Sequence, residues 1–107
     1  MEKYIKDGKV AVLYSPGYGA GWSTWIDNKE DAQKAVFDPI LVKHFLGEEK
    51  IDDVEEYVEQ NYKSDPYTGG LCKVKVKWIP VGNRFFIDEY DGSESVLILS
   101  PDDGYVA

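Results

Sequence analysis

The sequence predicts an α+β fold with a mostly antiparallel sheet. Three observations carry that expectation. Lys9–Tyr14 (KVAVLY) is a mostly apolar, β-favouring run that ends at Ser15-Pro16-Gly17. Apolar residues then recur at spacings of three and four through Tyr62. From Leu71 onward the period falls to two, between proline, glycine and asparagine turns.

Taken in order, Asp7-Gly8 is turn-like and introduces the first strand, Lys9–Tyr14. A glycine-rich loop follows, and Trp22–Ile26 reads as a short second strand. Asp27-Asn28 can cap a helix from Lys29 to about Val36. Asp38-Pro39 is a second start signal, a capping acid with proline at the first helical position, and Gly47 stands where that helix should stop. A third helix is expected over Glu48–Tyr62, with Ile51, Val54, Val58 and Tyr62 on one face and acids on the other. After the loop KSDPYTGG, Lys73, Lys75 and Lys77 alternate with Val74, Val76 and Trp78. Pro80–Asn83 turns into Arg84–Tyr90, and Asp91-Gly92 turns into Val96–Leu99. The C-terminal half therefore reads as a meander of three strands. At 107 residues the chain is one domain, 1–107, too short to fill two cores.

Composition narrows the function classes. The hydrophobic share of 43% and charged share of 30% suit a globular protein rather than a disordered one. A net charge of −8 repels nucleic-acid polymers and anionic membranes, so neither is expected as a partner. A small anion is still admissible where local donors outweigh the global field within a Debye length, about 8 Å at physiological salt. The single Cys72 excludes an internal disulfide and suits a reducing cytosol. No apolar run reaches the roughly 20 residues of a membrane span, and MEKYIKDGK is no signal segment. The expected location is cytoplasmic.

The segment SPGYGAGWSTW, Ser15–Trp25, concentrates glycines and aromatics. Gly17, Gly19 and Gly21 fit neither the dinucleotide fingerprint nor the P-loop. What remains is backbone whose N–H groups can converge on an anion. Ser15, Ser23 and Thr24 add hydroxyls, while Tyr18, Trp22 and Trp25 add flat faces able to stack on a base. A glycine turn whose tryptophans cap a small core is the plainer alternative. Lys73, Lys75 and Lys77 form a strip about 14 Å long that could neutralise phosphates or simply face water. Arg84, the sole arginine, could fork onto a phosphate, stack on a base, or pair with Asp88 or Glu89. Asp88–Ser95 (DEYDGSES) reads as an acidic hairpin; near the glycine loop, Ser93, Glu94 and Ser95 could meet a purine edge. Catalysis has little support, with one histidine, His44, inside a helix and no metal-ligand cluster or triad. No cofactor is expected.

SPGYGAGWSTW together with WIPVGNRFFIDEYDGSES resembles a family of short phage-encoded proteins, the anti-CBASS sponges. These sequester cyclic nucleotide signals such as 3′3′-cyclic GMP–AMP. The resemblance covers about a quarter of the chain and implies a non-enzymatic binder in the host bacterial cytoplasm. It also implies a homo-oligomer, dimer or tetramer, with ligand held by Ser15–Trp25 and the Asp88–Ser95 turn. The rival expectation is an acidic decoy that inhibits a nucleic-acid-binding enzyme through its Glu48–Glu59 helix.

Overall fold

The computed structural model describes residues 2–17, 21–98 and 104–107. In chain order these residues form β1 (Ile5–Lys6), β2 (Lys9–Tyr14), α1 (Lys29–Phe37), α2 (Pro39–Phe45), α3 (Val54–Asn61), β3 (Lys75–Pro80), β4 (Arg84–Tyr90), β5 (Ser93–Ile98) and β6 (Tyr105–Val106). The domain is α+β, built on two antiparallel three-stranded sheets ordered β1-β2-β3 and β5-β4-β6. The expected end of the last strand, Leu99, lies outside the described residues.

KVAVLY is nearly continuous in apolar residues because β2 is buried on both faces. Ala11 and Leu13 join Trp22, Leu41, Val42, Val58 and Tyr62 beneath the helices. Val10 and Val12 join Phe37, Ile79, Phe85, Ile87 and Val96 against the second sheet. The layers are therefore helices, first sheet and second sheet. Two Asp-Gly turns close the hairpins β1–β2 and β4–β5. In both, the aspartate and the glycine have positive φ (52° and 74° at Asp7-Gly8, 49° and 83° at Asp91-Gly92), as the tight I′ turn requires.

Strand pairing departs from a simple meander. β3 leaves β4 and pairs with β2, from Lys9↔Pro80 to Tyr14↔Lys75, while β4 pairs with β5 and β6. The turn between β3 and β4 explains the division. Val81 N–H donates to Gly8 O at 3.0 Å and Gly82 N–H to Ala107 O at 2.8 Å, while Ala107 N–H returns to Asn83 O at 2.9 Å. Asn83 N–H closes the turn onto Pro80 O at 3.1 Å, while the Val81 and Gly82 amides are given to other segments.

The helices follow their caps. Asn28 accepts from Asp31 N–H at 3.0 Å, and Asp38 accepts from Ile40 and Leu41 N–H at 3.0 and 3.3 Å. The third helix is shorter than Glu48–Tyr62, because Asp53 caps it by accepting from Glu56 N–H at 3.1 Å. Upstream, Ile51 N–H donates to His44 Nδ1 at 3.0 Å, which holds that segment outside the helix. Trp22–Ile26 is not a strand either; Ser23–Trp25 is a single 3-10 turn.

Asp31, 3% exposed, ties α1 to the segment after α3. Its carboxylate accepts from Lys63 N–H at 3.1 Å, Ser64 N–H at 2.6 Å and the Ser64 hydroxyl. Burial pushes its pKa up, but the Ser64 and Lys63 hydrogen bonds outweigh burial and leave it below the ordinary aspartate value. A depressed folded pKa gives stability that is fully present above the unfolded pKa, about 3.8–3.9, and is lost as pH falls through the folded one. Asp31→Asn is therefore expected to flatten the acid limb of stability below about pH 4. Urea titrations at pH 5 and pH 3 check this; parallel losses in variant and parent would contradict it.

Candidate functional site

A loop with three glycines has no stiffness of its own, so something else must hold it. The holder is Glu94. β5 alternates, and Glu94 shares the inward parity of Val96, which places its carboxylate 1% exposed under the loop. Its Oε1 accepts from Ser15 N–H at 2.8 Å. Its Oε2 accepts from Trp22 N–H at 2.7 Å, Thr24 N–H at 3.0 Å and Thr24 Oγ1 at 2.5 Å. Glu94 N–H donates in turn to Ser15 O at 2.7 Å. Beside it, Ser93 Oγ donates to Pro16 O at 2.8 Å. Three of the loop's amides thus converge on an anion as the glycine pattern suggests, but the anion is the protein's own carboxylate. Glu94 is committed inside and does not face a purine edge.

The two tryptophans divide. Trp22 is fully buried; its indole N–H donates to Ala35 O at 3.0 Å and its ring lies 5.8 Å from Tyr62. It is a core residue rather than a stacking surface. Trp25 is 40% exposed, with its indole laid on the Gly21 backbone, where a Cβ would stand 2.7 Å from Trp25 Cδ1. Its outer neighbour is Tyr67, 54% exposed, with ring centroids 5.5 Å apart and planes inclined by 34°. Tyr67 in turn covers Gly69. Gly21, Trp25, Tyr67 and Gly69 form one layered aromatic platform at the surface.

The segment 67–73 runs beside the glycine loop at two further points. Ser15 Oγ donates to Gly70 O at 3.3 Å. The aliphatic stem of Lys73 crosses Gly17, where a Cβ would stand 2.0 Å from Lys73 Cδ. Leu71–Lys73 is a 3-10 turn and not the start of the strand, so Lys73 leaves the expected lysine row and lies with the loop. Lys75, paired with Tyr14, is exposed at the same end of the first sheet. Arg84 is not brought there. It lies at the opposite end of β4, six residues from Tyr90 and so about 20 Å along the strand from the turn that meets the loop. Ser95 is exposed, pairs with Asp88 and touches none of the loop's hydrogen bonds. Ser23 Oγ is buried without a hydrogen-bond partner. Tyr18 and Gly19 lie outside the described residues.

Sequence reasoning missed Tyr67 and Gly69. The available signal was composition: DPYTGG repeats, on a second loop, the proline-aromatic-glycine character of SPGYGAGW.

Other chemistry-bearing residues are occupied structurally. His44 Nδ1 is the acceptor for Ile51 N–H, and its ring meets Phe45 edge-on at 5.1 Å. Cys72 is exposed and directs its thiol to Gly69 O at 3.7 Å. Among the described residues no group of three His, Cys, Asp or Glu could hold a metal ion. Two open hollows of about 580 and 590 Å³ lie by the start of α3, and both are lined by Asp53 and Glu55. Their carboxylates repel phosphate, although the first hollow also reaches Gly69 of the platform; a third hollow of about 420 Å³ is lined by Lys6, Asp7, Lys9 and Trp78. No protein-family model, curated protein or solved structure matches the chain. Among the described residues no helix is long and apolar enough to cross a membrane.

Proposed function

We propose that this protein sequesters a cyclic nucleotide second messenger, such as 3′3′-cyclic GMP–AMP, without cleaving it. In this reading it acts in the cytoplasm of a phage-infected bacterium and suppresses CBASS signalling. Association of copies into a dimer or tetramer belongs to the same reading. The observation that carries it is the Trp25–Tyr67 pair, two partly exposed aromatic rings beside a glycine-rich segment whose Ser15, Trp22 and Thr24 amides are held by Glu94. Large exposed aromatic faces are costly to leave solvated unless a partner covers them, and a nucleobase is flat, polarisable and of matching size.

Lys73 and Lys75 supply the ammonium groups on that side of a molecule whose net charge is −8. The pair can sit within a Debye length of a bound phosphate, where local attraction exceeds the screened field of distant acids. His44 Nδ1 is occupied by Ile51 N–H, while the Cys72 thiol reaches Gly69 O at the edge of the platform. Binding without turnover is what this chemistry supports.

The test is a thermal-shift and calorimetric screen of cyclic dinucleotides and trinucleotides, with linear nucleotides as controls. One cyclic nucleotide should raise the melting temperature and be recovered intact after heat release. Trp25→Ala and Tyr67→Ala should each weaken binding about 5- to 150-fold, the range for losing one stacked base. Absence of any shift across the panel, or unchanged affinity in both variants, rejects the reading. Cleaved ligand would mark an enzyme instead.

A further inference from the structure

The closing pair of the first hairpin sets two like charges against each other. Lys6 and Lys9 are direct partners across the β1–β2 ladder, both exposed, and they flank the Asp7-Gly8 turn. Like charges placed so are destabilising. The chain holds 20 acidic residues, yet among the described residues neither lysine makes an ion pair; the two salt bridges found are Lys43–Glu49 and Lys63–Glu30. Both lysines line the third hollow, of about 420 Å³, together with Asp7 and Trp78.

Register puts the indole beside the two cations. Lys9 shares the parity of Ala11, and Ala11 pairs with Trp78, so Lys6, Lys9 and Trp78 stand on one face of the first sheet. That face carries the helices and is turned away from the second sheet, to which β5 and β6 belong. The Trp78 ring is partly buried and braced by the Tyr4 ring at 5.9 Å, with planes inclined by 59°. The Tyr4 hydroxyl donates in turn to Glu48 Oε1 at 2.6 Å. On the other side of the hollow, the turn is held where Val81 N–H donates to Gly8 O. Both walls are fixed without a ligand, which lowers the ordering cost of binding one.

We infer that this hollow binds a small aromatic anion, one flat ring system carrying a carboxylate or a phosphate. The ring lies against the Trp78 indole, and the anionic group sits between the Lys6 and Lys9 ammoniums, where it offsets the repulsion of the bare hairpin. The volume falls within the range of about 300–1,000 Å³ usual for small-molecule pockets. The Asp7 carboxylate lines the same hollow and opposes the anion, so it limits the affinity. This site is distinct from the aromatic platform. Lys9 and Tyr14 are five residues apart on β2, which sets the hollow about 17 Å along the strand from the Tyr14–Lys75 end.

The experiment is a titration of the full chain with naphthoate and with naphthyl phosphate, followed residue by residue through amide and indole N–H shifts in NMR spectra. Naphthol, which lacks the charge, and inorganic phosphate, which lacks the ring, are the controls. At least one aryl anion should shift the Trp78 indole N–H and the amides of Lys6 and Lys9 to saturation, and the tighter of the two identifies the anionic group. Each control should bind about tenfold more weakly or worse. Lys6→Glu and Lys9→Glu should each weaken binding about three- to tenfold. Asp7→Asn keeps the tight turn, because asparagine also accepts positive φ there, and should strengthen binding about two- to threefold. A gain of that kind cannot arise from a folding defect. The inference is overturned if neither aryl anion binds, if saturable shifts fall at Trp25 in place of Trp78, if both lysine reversals leave the affinity unchanged, or if Asp7→Asn weakens it. Nucleotide binding at the platform is followed by the Trp25 indole N–H, so the two readings fail independently.

Discussion

Glu94→Ala is expected to lower the unfolding free energy by about 3–5 kcal/mol, a large share of the roughly 5–15 kcal/mol available to a domain of this kind. The change removes the acceptor for three main-chain amides, those of Ser15, Trp22 and Thr24, and for the Thr24 hydroxyl. Each buried donor left without a partner costs about 1–3 kcal/mol, tempered here because Thr24 is exposed enough for water to reach. Glu94→Gln is the informative companion. It preserves volume but turns an NH2 group toward amides that are themselves donors, so about 2 kcal/mol should be lost without a cavity. Urea denaturation measures both, and amide hydrogen exchange should report lost protection at Trp22 and Thr24. A loss below about 1 kcal/mol for Glu94→Ala would mean that the carboxylate does not hold the loop.

Asp38→Ala is the second large effect, expected at about 3–4 kcal/mol. This residue is 2% exposed, and its carboxylate ties α2 to α3 and to Tyr62 just beyond it. It caps α2 through Ile40 and Leu41 N–H, while accepting from Tyr57 Oη at 3.0 and 3.1 Å and from Tyr62 Oη at 3.0 Å. Tyr57→Phe and Tyr62→Phe should each cost about 1 kcal/mol, less than the aspartate because the cap survives. Burial, then the negative charge of Asp38, pushes both phenols well above the usual tyrosine range. A raised folded pKa gives stability that is complete below the unfolded value near pH 10 and declines as pH rises toward the folded one. Spectrophotometric titration should therefore find these two tyrosines protonated after the exposed ones have ionised. Simultaneous ionisation in the folded protein would contradict the hub.

Local signals carried most of the fold. Asp38-Pro39, the two Asp-Gly hairpins and the lysine–valine alternation of β3 are short-range features whose physics is complete within a few residues. Asp53 and Glu56 mark the true start of α3 with a capping-box spacing, but the acids from Glu48 onward extend the apparent helix past it. Pairing was not local. Whether β3 joins β2 or β4 depends on Gly8 and Ala107, each distant in sequence from the turn they engage.

The candidate site was legible as a segment rather than as an arrangement. Trp22 and Trp25 are equivalent in composition, and only packing against Ala35 and Tyr62 sends one inward. Glu94 offered a usable clue, because it shares the parity of Val96 and so must point inward with it. Following that parity would have separated it from Ser95, whose side chain lies on the solvent face. Arg84 was misplaced for a geometric reason, since the seven residues of β4 put its ends about 20 Å apart.

The bonds from Glu94 also govern the order in which the molecule can be completed. They join residues separated by 79, 72 and 70 positions along the chain. Closing so long a span costs entropy that is recovered only when the β4–β5 hairpin is already seated on β2. The loop beneath Trp25 is thus among the last parts to acquire its shape, although it is among the first to leave the ribosome. A nascent chain stopped before residue 94 would carry every residue of SPGYGAGWSTW and none of the acceptor that gathers its amides.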